Sequence, residues 1–363
     1  MIKAYSADKI FTGQSWKNDS AVIIENDVVV NVVPLEILPA NIPVLQHASI
    51  IAPAFIDIQI YGASSKLFSA HPAAGALNKL KEHCNKGGTK YFLPTIATNS
   101  MEVFKKGIDA VKEYWKNGGE GIPGLHIEGP WINKEKRGAH IESFIHVPQK
   151  DEVIELLEYG KAVIKMITLA PEICSEEIIE LIKSYGVIVS AGHSNATYGE
   201  ANSAFSKNIH VATHLFNAMS GLHHRAPGLP ASIMLNSSVM CSIVADGYHV
   251  DFAMISLAKK LMGKRLFLIT DAVTETDEGP YQHQRSGDKF EANNILSGSA
   301  LTMIKAVKNC VDKCNITLEE AFRMASLYPA KVLDLDNKMG KIGAGLQADI
   351  VLLDEELEVI ALV

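Results

Sequence analysis

Short apolar runs alternate with stretches of helical period along most of the chain. The runs are residues 50–60 (IIAPAFIDIQI), 89–98 (TKYFLPTIAT), 121–129 (GIPGLHIEG), 163–172 (VIKMITLAPE), 187–194 (VIVSAGHS), 210–218 (HVATHLFNA), 239–250 (VMCSIVADGYHV) and 266–273 (LFLITDAV). Segments such as 101–117, 151–161, 175–186 and 251–263 lie between them and space their apolar residues by three and four. Eight strands separated by such helices predict an α/β chain folded as a (β/α)₈, TIM-type barrel. The beginning of the chain has another texture, with short strands such as AVIIENDVVVNVV broken by polar turns. That texture returns after Gly343 and Gly345 in ADIVLLD. The two ends are therefore expected to pair into a small β-sandwich domain, residues 1–52 with 341–363, flanking a barrel over 53–340. A polar, glycine-containing stretch at 274–299 reads as an active-site loop or hairpin, and two helical stretches, 299–314 and 318–333, follow it.

Composition narrows the picture. The 363 residues can bury a large core, and 47% hydrophobic with 21% charged residues is globular rather than disordered composition. A net charge of -7 speaks against nucleic acid or an anionic membrane as partner, since both need an extended basic surface. The N-terminal residues lack the apolar segment of a signal peptide, and no run reaches membrane-spanning length. Five scattered cysteines, Cys84, Cys174, Cys241, Cys310 and Cys314, fit reduced thiols, so the expected location is the cytoplasm. Cys310 and Cys314 share a helical face, but no second ligand pair accompanies them to make a structural zinc site.

The candidate chemistry lies where the strands end. Glu128, His193, His214 and Asp271 each follow an apolar run, in HIEGPW, AGHSNAT, THLFNAM and ITDAV. Active sites of this barrel form at the C-terminal ends of its strands, so one site can collect all four. Two imidazoles and a carboxylate suit Zn²⁺ and tolerate Fe²⁺ or Co²⁺, with a position left open for water. Asp271 beside that water is placed to take its proton and return it to a departing nitrogen. Taken singly, each residue also has a structural reading: Glu128 capping the following loop, Asp271 capping a helix, each His held by hydrogen bonds. His126 shares a strand face with Glu128 and reads as packing or support. At the end of the first strand, Asp57-Ile-Gln59 stands where a His-x-His pair would offer a second metal site, which favours one ion. The turn-rich segment NAMSGLHHRAPGLP carries Asn217, His223, His224 and Arg225, and the planar fork of an arginine suits a phosphate. A solvated loop charge is the competing reading. His249, in ADGYHVD, is a further candidate contact.

With these strings in hand, the chain resembles the N-acetylglucosamine-6-phosphate deacetylases of the amidohydrolase superfamily. APAFIDIQIYG, LHIEGPWIN, KRGAH, AGHSNAT, THLFNAM, RAPGL, DGYHV, TDAV, LSGSALTM and GAGLQADIVLLD carry the resemblance in order along nearly the whole chain. It implies hydrolysis of the substrate's acetamide to glucosamine 6-phosphate and acetate, with one divalent metal per subunit. It makes Glu128, His193 and His214 the metal ligands and Asp271 the proton carrier. Sugar and phosphate contacts carry over to Ala139, His140, Asn217, Ala218, Arg225, His249, Leu296, Ser297 and Gly298. A homodimer is implied, with Arg225 reaching the neighbouring subunit's substrate. Three departures stand out: Ala54 for a usual glycine, Asp57-Ile-Gln59 for His-x-His, and Tyr61 for a common Asn. Alternatives are another N-acyl amino sugar phosphate, such as the galactosamine epimer, a cyclic amide, or a barrel that has lost catalysis and serves as a scaffold.

Overall fold

The computed structural model describes residues 1–292 and 295–363. Eight strands form one sheet in sequence order: β1 (Phe55–Ile60), β2 (Thr89–Ala97), β3 (Leu125–Glu128), β4 (Ile164–Leu169), β5 (Ile188–Ala191), β6 (Val211–Ala212), β7 (Met240–Val244) and β8 (Leu266–Ile269). Neighbours from β2 to β8 pair in parallel. Every residue of β1, β3 and β8 is buried, as expected of parallel strands covered on both faces. The sheet comes close to closing on itself just beyond the C-terminal ends of β1 and β8. There Asp271 N–H donates to Gln59 O at 3.0 Å and Tyr61 N–H to Ala272 O at 2.9 Å, and Ile60 bridges Ala272 in parallel.

The barrel agrees with the expected eight runs, but the ends of several strands differ. The sixth apolar run spans 210–218 but is strand only at Val211–Ala212. His214, Phe216 and Ala218 then adopt φ of 37°, 77° and 49°, a left-handed path that no extended strand can follow. The stretch 274–299 is neither a bare loop nor a single hairpin. It holds a three-stranded antiparallel sheet of Gln284–Ser286, Lys289–Ala292 and Ile295–Ser299, while residues 293–294 of that expectation lie outside the described residues. The helical stretch 318–333 breaks at Ser326 into Leu318–Ala325 and Leu327–Val332. Pro329 has no N–H to continue the first helix.

Contacts divide the chain into two compact units: Met1–Asp57 with Cys84–Tyr91 and Thr302–Val363, and Ile58–His83 with Phe92–Leu301. The first contains a six-stranded sheet in the order Val359–Leu362, Ile350–Leu353, Val44–Pro53, Ile2–Phe11, Trp16–Glu25 and Val28–Pro34. Both chain ends thus contribute to one small sheet. Asn26 and Asp27, both at positive φ, join two of its strands in the two-residue turn that such pairs favour. Val22, Ile24, Ile51, Ile350 and Leu352 pack in its core. Cys310 and Cys314 are buried on the helix Met303–Cys314, as packing residues. The second unit holds the candidate site.

Candidate functional site

Glu128, the last residue of β3, is 1% exposed and its two carboxylate oxygens face different groups. Oε1 lies 3.1 Å from His214 Nε2, 3.3 Å from His193 Nε2 and 3.1 Å from the Gln59 amide. Oε2 lies 3.1 Å from His140 Nε2 and accepts a hydrogen bond from the Tyr61 hydroxyl. The Nε2 atoms of His193 and His214 are 3.2 Å apart. Two imidazole nitrogens that face each other and one carboxylate oxygen need a proton or a cation between them. On the far side of its ring, His193 Nδ1–H donates to Lys136 O at 2.8 Å, which leaves the Nε2 lone pair pointing into the site. The chemistry of these donors fits a divalent ion. Glu128, His140 and His193 also form a buried trio that could hold one.

Asp271 sits two residues beyond β8, with Oδ1 2.8 Å from Gln59 Nε2 and Oδ2 3.9 Å from His249 Nε2. The Gln59 side chain therefore lies between the Glu128 and Asp271 carboxylates, and it also meets the Tyr61 hydroxyl at 2.7 Å. His193, His214 and Asp271 have φ of 47°, 37° and 54°. Non-glycine residues in this region cost of order 1–3 kcal/mol each and persist where the surroundings over-determine them. At Asp271 the hold is visible: its N–H donates to Gln59 O and its carbonyl accepts from Ser299 N–H, both at 3.0 Å.

Electrostatics follow from this geometry. Burial opposes the Glu128 charge, but the positive potential of His193 and hydrogen bonds from His140, His193 and His214 outweigh it and hold the carboxyl well below its usual range. Burial pushes the Asp271 carboxyl up, against the pull of His214 and His249. Burial likewise raises the Tyr61 phenol, so it keeps its proton and donates. It lowers His140 to about 4. Asp246 is also buried, yet its hydrogen bond from His249 holds it below the ordinary value.

A cavity of about 160 Å³ opens over these groups. Of the residues singled out from the sequence, Glu128, His193, His214 and Asp271 line it, together with Ala139, His140, Asn217, Ala218, His249, Leu296 and Ser297. Gly298 and Arg225 are not among its lining. A Cβ at Gly298 would come within 2.5 Å of the Val273 side chain. Arg225, His223 and His224 are exposed in the loop after β6. His126 lies below the cavity, its Nδ1 3.0 Å from Ile58 O and its Nε2 2.8 Å from Thr168 Oγ1. That hydroxyl continues to Thr213 and Ser190 at 2.8 and 2.6 Å, so His126 belongs to a hydrogen-bonded layer inside the barrel.

Leu67, Val273, Tyr281 and His283 line the cavity without having stood out in the sequence, whereas Tyr61 is there a departure from a common Asn. Tyr61, Leu67, Val273 and Tyr281 pack together as one apolar wall. The Tyr281 hydroxyl donates to Thr98 O at 2.6 Å, and buried His283 meets Ser297 Oγ at 2.8 Å. Tyr281 and His283 come from the stretch expected to cover the site, where no apolar run marked individual positions.

Comparison with known proteins follows the same lines. The profile of the Amidohydrolase family matches residues 50–362, and that of the NagA composite domain matches 7–47. An N-acetylglucosamine-6-phosphate deacetylase of Haemophilus influenzae is 31% identical over 366 residues, covering 98% of this chain and 96% of the relative. An N-acetylgalactosamine-6-phosphate deacetylase of Escherichia coli is 28% identical over 370 residues, covering 99% and 97%. The crystal structure of N-acetylglucosamine-6-phosphate deacetylase from Pasteurella multocida superposes with a TM-score of 0.94 at 31% identity, over 100% of this chain and 98% of that one.

Proposed function

Because the chain belongs to the amidohydrolase family, we propose that it hydrolyses the acetamide of N-acetylglucosamine 6-phosphate to glucosamine 6-phosphate and acetate. The observation that carries this is the meeting of Glu128 Oε1, His193 Nε2 and His214 Nε2 within 3.3 Å of one another, with the Asp271 carboxylate tied to the same cluster through Gln59. Glu128, His193 and His214 are the proposed ligands of one divalent ion, Zn²⁺ first, with Fe²⁺ or Co²⁺ as the other candidates. His140 is a weaker choice as ligand because it faces the other carboxylate oxygen. A cation held there supplies an acidified water and a Lewis acid for the amide carbonyl. Asp271 takes the proton of the attacking water and delivers it to the leaving nitrogen. Its raised affinity for a proton suits both halves of that task. His140 and His249 face the same cavity and are the proposed contacts to the developing oxyanion and the sugar, with Ala139, Asn217, Ala218 and the Leu296–Ser297–Gly298 strand.

Arg225 is exposed and does not line the cavity of its own chain. That supports a homodimer in which it clamps the phosphate of the substrate bound in the neighbouring subunit. The five cysteines, with no disulfide among the described residues, support a reducing compartment, the cytoplasm. Residues 1–52 and 341–363 are proposed as the small domain and 53–340 as the catalytic one. No helix of the described residues is long and apolar enough to cross a membrane.

Acetate release from N-acetylglucosamine 6-phosphate, with and without chelator, tests the reading. Release that chelation abolishes and added Zn²⁺ restores is expected, and no release with any of the three metals would sink it. The E. coli relative favours a second substrate, N-acetylgalactosamine 6-phosphate. The ratio of kcat/KM between the two epimers decides between them.

A further inference from the structure

Between the end of β7 and the helix Phe252–Met262, the chain reads Asp246-Gly247-Tyr248-His249-Val250-Asp251. Asp251 caps that helix, accepting from Ala253 N–H at 2.8 Å, so Asp246 has no helix to cap. The Asp246 side chain is 2% exposed. Its Oδ1 accepts from the backbone N–H groups of Tyr248 and His249 at 2.9 and 2.8 Å, and its Oδ2 lies 2.6 Å from His249 Nδ1. Gly247 makes the turn possible at φ 80°, where a Cβ would meet the Phe252 ring at 2.7 Å. The other ring nitrogen of His249, Nε2, is 3.9 Å from Asp271 Oδ2, and the ring lines the cavity.

An ionised carboxylate only accepts hydrogen bonds, so the ring nitrogen against Asp246 must carry a proton. We infer that Asp246 is a positioning residue: it fixes His249 as the Nδ1–H form and aims Nε2 into the cavity beside Asp271. This rests on the proposed proton-transfer role of Asp271. In the resting enzyme, Nε2 is then an acceptor for a substrate O–H or N–H. The logic is that of a buried carboxylate that sets the tautomer of a working histidine.

Asp246→Asn separates this role from a purely structural one. The asparagine keeps an oxygen for the two backbone N–H groups but presents an amide donor to Nδ1, which inverts the tautomer. The first measurement is the ¹⁵N spectrum of histidine-labelled, metal-loaded protein, with His249 assigned by its loss in His249→Gln. A proton on Nδ1 in the wild type and on Nε2 in Asp246→Asn is expected. The second is a double-mutant cycle in acetate release. Asp246→Asn should lower kcat by roughly 100-fold with metal content and circular dichroism unchanged, and should cost nothing further in the His249→Gln background. A wild-type His249 protonated only on Nε2, or losses that simply multiply, would overturn the inference. The spectrum of the wild type alone decides if the variants fold poorly. Absence of acetate release by the wild type would count against the proposed reaction and leaves the tautomer measurement to decide this point.

Discussion

Glu128 shows how much of the site depends on what surrounds a single carboxylate. One oxygen meets His193 and His214, and the other is held by the Tyr61 hydroxyl and His140. Tyr61→Phe removes one donor from that second oxygen and leaves the apolar wall in place. Groups that orient a metal ligand are worth 10- to 100-fold in affinity, so the variant should bind Zn²⁺ about 10-fold more weakly in a competition titration against a chelating dye. Unchanged affinity would make Tyr61 a packing residue. Ligand assignment has its own test, since His214 and His140 both reach Glu128. His214→Asn should purify with little metal and His140→Asn with close to one equivalent by elemental analysis. The reverse result would move the ion to the Glu128, His140, His193 trio. Asp271→Asn should keep the metal and lose roughly 10³-fold in kcat. Near-normal turnover at full metal content would remove Asp271 from the proton-transfer role. Glu128, His193, His214 and Asp271 were legible because each follows an apolar run at a barrel strand's end. Tyr281, His283 and Asp246 were not, because their positions depend on where the chain travels after leaving a strand.

At the scale of elements, strand existence was far more legible than strand length. Parallel strands buried on both faces read as continuous apolar runs, which is why all eight could be counted. The same apolar character hides the point where β6 stops. After Ala212 the run continues in hydrophobicity through Leu215 and Phe216 while the backbone has already turned. The hydrogen-bonded layer inside the barrel was equally hidden, since Thr168, Ser190 and Thr213 look unremarkable in sequence. That layer has a consequence for acid stability. Burial lowers His126 from 6.5 to about 4, so between those values the unfolded chain binds a proton that the folded chain does not. Its contribution is complete above about pH 6.5 and is lost as pH falls toward 4. A displacement of this size corresponds to about 3 kcal/mol. Buried His283, lowered by the same cause to about 4, adds in the same direction. His126→Gln should therefore flatten the decline in unfolding free energy between pH 6.5 and 4 in denaturant titrations, and an unaltered slope would contradict the assignment.

For the whole molecule, the resemblance implied a barrel and a domain built from both ends, and both are present. The limits of each unit were harder to read, because Cys84–Tyr91 and Thr302–Val363 cluster with the N-terminal residues although the apolar pattern gives no sign of it. An ion bound only by the folded state should raise stability by about 4 kcal/mol at a thousandfold excess over its Kd. Chelated protein should accordingly melt several degrees below the loaded form in calorimetry, and equal melting temperatures would argue against a tightly held ion. The near-closure of the sheet carries one more implication. The bonds that join the first strand to the last involve the backbones of Gln59, Tyr61 and Asp271, the same residues whose side chains surround the Glu128 cluster. The seam of the barrel thus runs through residues that also support its working groups. Partial opening there should abolish turnover while most helices and strands persist, so inactivation by mild heat or denaturant should precede loss of the far-ultraviolet signal, with the Tyr61 and Asp271 amides first to exchange their hydrogens.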